Sequence, residues 1–140
     1  MSVNLEIVTP ERLLLSRPVE MVVIPASEGD MGVLEGHAPA IVMLRGGIIA
    51  LYEGEQITDQ MYVAGGFAEV TPERCTVLAS EVLATVDLSR EEGERRLAEA
   101  DAHYATVEAS DVVAEELALE RIQSARALVE AVDALLTGGR

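Results

Sequence analysis

Lysine is absent. All ten basic residues are arginines, set against 25 acidic residues, so the formal net charge is −15. A surface of that sign repels nucleic acid and anionic lipid head groups and favours basic partners. Tryptophan is absent too, and one phenylalanine and three tyrosines make the aromatic content only 3%. A core must therefore be built from Val, Leu, Ile, Ala and Met, and a stacking site for sugars or nucleobases has little to draw on. With Cys75 the only cysteine, no intrachain disulfide is expected, which fits a reducing compartment. In "RCTVLAS" it reads as a small core residue of a buried strand rather than a nucleophile. No stretch approaches the roughly 20 apolar residues of a spanning helix, and "MSVNLEIV" lacks the basic and apolar regions of a signal peptide. The expectation is a soluble chain that can still serve a membrane-bound assembly.

Motifs for chemistry are equally scarce. No G-x-S-x-G elbow occurs, and "RGG" and "AGG" are not phosphate loops of the G-x-x-x-x-G-K-[ST] or G-x-G-x-x-G type. The two histidines, His37 and His103, lie in different halves and form no H-x-x-x-H or H-x-H pair. A metal or carboxylate–histidine site would have to combine His37 with Asp30 and Glu35 across a glycine-punctuated loop. The simpler role for His37 is local: Pro39 holds Ala38 extended, so "GHAP" leads into the strand "AIVML", and the ring bonds a neighbouring backbone group.

What the chain does have is two halves with different periods. Val3, Leu5 and Ile7 alternate at period two. Further strand candidates follow in "VEMVVIP", "AIVML", "GIIALYE", "QITDQMYVAG", "FAEV", "CTVLA" and "EVLATV", separated by breaks at "TPE", "SRP", "SEGD", "LEGHAP", "RGG", "EGE", "AGG" and "TPER". Short strands with this punctuation predict a flattened β-sandwich or barrel over residues 1–87. Residues 88–140 contain no proline and are rich in Ala, Leu, Glu and Arg. Ser89 and Glu92 have capping-box spacing. Gly93, Leu97, Ala100, Tyr104 and Val107 form one seam; Ala118, Ile122, Ala125, Val129, Val132 and Leu136 form another. Their alternating steps of four and three predict two antiparallel helices packed lengthwise, with Ser110 or Asp111 capping the second and "TGGR" ending it. The fold class is thus α+β. A hairpin of this size is marginal alone and must dock on its own β-domain or on a partner, as a fixed brace or a moving part.

"GDMGVLEGHAP" (29–39), then "GG" (46–47), "AGGFAEV" (64–70) and "VTPERCTVLAS" (70–80) together resemble the epsilon-subunit family of F-type ATP synthases. That family's pattern runs approximately G-x-x-G-[ILV]-x-x-G-H-x-P with G-G-[FIV]-x-E-V further on. The opening "LEIVTPER" and the "RRL" helix fit as well. The resemblance implies a flattened barrel or sandwich of about ten strands followed by two antiparallel helices. It implies a non-catalytic rotor subunit at the foot of gamma, touching the c-ring and coupling proton flow to synthesis in the alpha/beta catalytic head. Such a subunit lies peripherally at the cytoplasmic face of a bacterial inner membrane.

Carried over by position, the family's acidic c-ring turn is Glu28, Gly29, Asp30 and Met31, with Asp30 the strongest contact, and His37 lies on a surface that meets gamma or moves against the head. Some members bind ATP between the hairpin helices through [IL]-D-x-x-R-A and two further arginines. Here Asp87 and Arg90 match, Glu91 replaces the alanine, Arg121 matches, and Arg126 sits one position off. A carboxylate beside a phosphate opposes binding, so ATP enters only as a candidate regulatory ligand. Inhibitory members carry basic residues on the second helix. From Ser110 to Leu136 this chain sets Arg121 and Arg126 against Asp111, Glu115, Glu116, Glu120, Glu130 and Asp133, a balance that disfavours an acidic target. The competing readings are a free-standing β-sandwich adaptor or ligand-binding module whose hairpin grips a helical partner, and a metalloenzyme centred on His37.

Overall fold

The computed structural model describes residues 1–136. The closing "TGGR" and the side chains of Leu135 and Leu136 lie outside the described residues. Ten strands come first: β1 (Val3–Val8), β2 (Leu13–Val19), β3 (Met21–Ala26), β4 (Gly29–Leu34), β5 (Ala40–Leu44), β6 (Gly47–Glu53), β7 (Gln56–Val63), β8 (Gly66–Val70), β9 (Arg74–Ala79) and β10 (Val82–Ala84). A 3-10 turn (Thr85–Asp87) leads to α1 (Arg90–Tyr104) and α2 (Val112–Leu136).

The strands form one sheet in the order β10-β7-β6-β3-β5-β8-β9-β1-β2, with β4 added beside β3. β3 pairs with β6 through Met21–Val23 and touches β5 only at Ala26–Leu44. The sheet turns at that single bridge and closes over itself. The core between its halves holds Val3, Leu5 and Ile7 of β1, Val22 and Ile24 of β3, Ile49 and Leu51 of β6, Met61 and Val63 of β7, and Cys75 and Val77 of β9. Arg17 of β2 reaches Asp59 of β7 at 3.7 Å across the closure. All pairs are antiparallel except β1–β9.

Two of the expected breaks hold strand residues. "SRP" lies inside β2, at the end of the sheet order, where Pro18 needs no ladder partner on its free side. "SEGD" is a two-residue turn, Ser27–Glu28, that runs straight into β4. β4 is full-length despite its two glycines, because Val33 is buried and Met31 packs on the core at period two.

The helices start where their caps predict. The Glu92 N–H donates to Ser89 Oγ at 3.1 Å and the Ala114 N–H to Asp111 Oδ1 at 3.1 Å. α1 ends at Tyr104, so Val107 of the expected seam falls in the link. Gly93, Ala100, Ala118, Ile122, Ala125 and Val132 are buried along the predicted seams. A Cβ on Gly93 would stand 3.0 Å from Cγ2 of Val129, so glycine sets the helix separation there. Among the described residues no helix is long and apolar enough to cross a membrane.

Candidate partner-contact end and hairpin cradle

The residues expected to form one contact loop occupy two places. Only Ser27 and Glu28 make a turn; Gly29, Asp30 and Met31 are the start of β4. Asp30 stands opposite Pro25 in the β3–β4 register and accepts from Arg45 Nη2 at 2.5 Å, with most of its side chain still in solvent. β4 then carries the chain to a second turn at Glu35–Gly36, after which His37 donates from Nδ1 to the Ala38 carbonyl at 2.8 Å. That local bond is the role read from "GHAP". Gly36 takes φ +84°, a conformation glycine adopts freely, and its N–H donates to Pro72 O.

β5 joins these two places. It starts just after His37–Pro39 and ends beside the Ser27 turn, where the Ser27 N–H donates to Met43 O at 2.8 Å. Its outward face is apolar: Ile41 is 75% exposed, Met43 61%, and Phe67 of β8, opposite Met43, 41%. The sequence marks these only as members of short apolar runs, and the register is what reveals that they face outward. At about 3.3 Å per residue, the five residues of β5 separate the acidic turn from His37 by roughly 17 Å.

The second region is the cradle in which the hairpin lies. Tyr62 alternates with the core-facing Met61 and Val63, so it points to the other side of the sheet, yet it is only 1% exposed because the helices cover it. Its hydroxyl donates to Ser124 O at 2.5 Å, and Ser124 Oγ donates to Ala64 O at 2.5 Å. Gln123 grips Gly46 with both ends of its amide. Arg96 of α1 donates to both carboxylate oxygens of Glu81, at 2.7 and 2.9 Å, and to Glu92 at 2.8 Å; Arg95 joins Glu92 to Glu99. Hydrogen bonds from Arg95 and Arg96 bring Glu92 down to a pKa of about 2, and the same carboxylates raise both arginines. Burial pushes the Tyr62 hydroxyl up to about 12 and the Cys75 thiol to about 11.

The four candidate ATP ligands do not share one cleft. Arg90 pairs with Asp133 and, at 3.2 Å, with Glu94. Arg121 lines a cleft of about 580 Å³ between α1, α2 and β7 together with Tyr62, Glu81, Arg96 and Glu99, whereas Asp87, Arg90 and Arg126 are not in its wall. Arg121 and Arg126 are five residues apart, about 140° around α2, and Asp133, the partner of Arg90, lies roughly 18 Å along the axis from Arg121. Among the described residues no three His, Cys, Asp or Glu side chains are grouped to hold a metal ion.

Residues 2–85 match the family model described as ATP synthase, Delta/Epsilon chain, beta-sandwich domain. The ATP synthase epsilon chain of Granulibacter bethesdensis is 61% identical over 128 residues, covering 91% of this chain and 95% of that one. The ATP synthase epsilon chain of Gluconacetobacter diazotrophicus is 44% identical over 131 residues, covering 94% and 93%. Among solved structures, a chain of the Euglena gracilis mitochondrial ATP synthase (OSCP/F1/c-ring, rotational state 1) is 28% identical, with a TM-score of 0.68 over 96% of this chain and 81% of that one. A chain of the Tetrahymena thermophila mitochondrial ATP synthase central stalk and c-ring, 11% identical with a TM-score of 0.65 over 94% and 97%, shares the fold. Matched over nearly its whole length to these relatives, with the family's β-domain and a helical hairpin in place, the chain belongs to the ATP synthase epsilon-chain family.

Proposed function

We propose that this chain is a non-catalytic central-stalk subunit of an F-type ATP synthase. It links gamma to the c-ring and helps couple proton flow to ATP synthesis in the alpha/beta head, at the cytoplasmic face of the membrane. The supporting observation is the juxtaposition at one end of the sandwich: an acidic turn, Glu28 to Asp30, adjoining an uncovered apolar strip, Ile41, Met43 and Phe67. The strip is suited to bury against a stalk helix, as apolar interface cores do, and the turn to face basic polar loops, where complementary charge sets orientation. His37 borders the strip at the far end of β5, where it is suited to meet gamma or to move against the head.

The test is Asp30→Arg in the reconstituted complex. Reversing the charge places a second cation beside Arg45 and opposes a basic partner surface. ATP-driven proton pumping, or recovery of the subunit with gamma and the c-ring, should fall. Unchanged pumping together with normal co-purification would overturn the contact assignment.

A further inference from the structure

The seat of α2 and the hold on Asp30 meet at two consecutive residues. Gly46 gives both main-chain polar groups to one side chain: its N–H donates to Gln123 Oε1 at 2.8 Å, and its carbonyl accepts from Gln123 Nε2 at 2.9 Å. It has no space for a side chain, because a Cβ there would stand 2.7 Å from Cα of Ser124. Arg45, one residue earlier, donates to Asp30 at 2.5 Å. The Arg45 N–H donates to the carbonyl of Pro25 at 2.9 Å, and Pro25 is the residue opposite Asp30. The guanidinium also packs over Gly47, where a Cβ would lie 3.1 Å from Nη1.

We infer that the Arg45–Gly46 pair relays the docking of the hairpin to the acidic turn. With α2 seated, Gly46 is clamped and Arg45 is presented to Asp30. With α2 away, Gly46 loses both hydrogen-bond partners and its packing on Ser124. A freed glycine samples backbone conformations closed to other residues, so Arg45 is no longer aimed and the Asp30 carboxylate is released to a cation on a partner. Coupling of this kind is reciprocal. A basic group that takes Asp30 from Arg45 weakens the grip on α2, and a hairpin that leaves makes the turn more acidic toward the ring. An exposed ion pair is modest, so the relay biases a population rather than locking a state. The functional consequence rests on Asp30 being a partner contact; the relay itself is a property of the isolated chain.

Amide hydrogen exchange across residues 118–132 of the full-length subunit tests it. Asp30→Asn and Arg45→Gln should each speed exchange there by about two- to fivefold, and Asp30→Asn should add nothing once Gln123→Ala is present, the signature of coupled sites. Gly46→Ala, which drives a methyl into Ser124, is the independent way to loosen α2, and the same non-additivity is expected with it. Unchanged or slower exchange in Asp30→Asn, or effects that simply multiply, would overturn the relay. If exchange behaves as expected while Asp30→Arg leaves pumping and co-purification untouched, the contact assignment fails and the relay stands. The opposite pattern removes the relay alone.

Discussion

At Gly66 a methyl group would sit 2.1 Å from the carbonyl oxygen of Leu78, in a backbone with φ +133°. Neither term can relax, since β8 is fixed to β9 there by the Gly66–Ala79 pairing. Gly66→Ala should therefore destabilise the chain by roughly 3 kcal/mol or more, seen as a lower urea midpoint at unchanged slope. Gly54→Ala, at φ +64° with nothing within 4 Å of the Cβ, should cost only about 1 kcal/mol. The sequence shows that "AGGFAEV" is special and cannot show which glycine is cramped, because the obstructing oxygen comes from a strand twelve residues on. Cys75 was legible: a small residue in an apolar run is buried, and burial keeps its thiol protonated. His37 was legible through its neighbour Pro39. Asp30 was not, since Gly29 and Gly32 disguise the alternation of Met31 and Val33, and only the β3–β4 register makes it a strand residue facing Arg45.

Two groups, one within α1 and one beneath α2, respond oppositely to pH. Glu92, with a folded pKa of about 2 against an ordinary 4.5, contributes stability that is complete above about pH 4.5 and disappears as pH falls toward 2. Tyr62, raised to about 12 by burial, contributes below its ordinary 10.0 and loses its contribution as pH rises through 12. Amide exchange should accordingly show the first turns of α1 loosening in acid, and Glu92→Gln should flatten that response. The lengthwise pairing of the helices was readable because four-three spacing of small and apolar residues has few other meanings. The docking face of α2 was not. Its anchors are Ser124 and Gln123, bonded to Tyr62, Ala64 and the main chain of Gly46, polar contacts that leave no hydrophobic period.

For the molecule as a whole, the acid-rich second helix and the dispersed arginines predict a restrained regulator. Deleting residues 89–140 should leave ATP hydrolysis by the reconstituted complex within about twofold of the intact complex, given six acids against two arginines from Ser110 to Leu136. A several-fold rise would show that the hairpin inhibits strongly. Calorimetry with ATP on the isolated subunit should show no saturable heat, since Arg90, Arg121 and Arg126 converge on no common space in the docked hairpin; saturable binding would show that they assemble in another arrangement. The architecture itself was largely legible, from alternation, punctuation and the turn to helical spacing, whereas the single bridge at Ala26–Leu44 and the parallel neighbour of β1 depend on pairings between distant residues. That parallel pairing reaches into the life of the nascent chain. Leu5 lies beside Cys75, 70 residues later, so β1 and β2 emerge from the ribosome as a hairpin whose other neighbour does not yet exist. At about 5–20 residues per second, roughly 4 to 14 seconds pass before β9 is made. For that interval Leu5 and Ile7 have no core to enter, and β1 presents a bare edge to any other strand in reach. The first strand synthesised is thus among the last to be completed, and the vulnerable species in the making of this subunit is its own beginning.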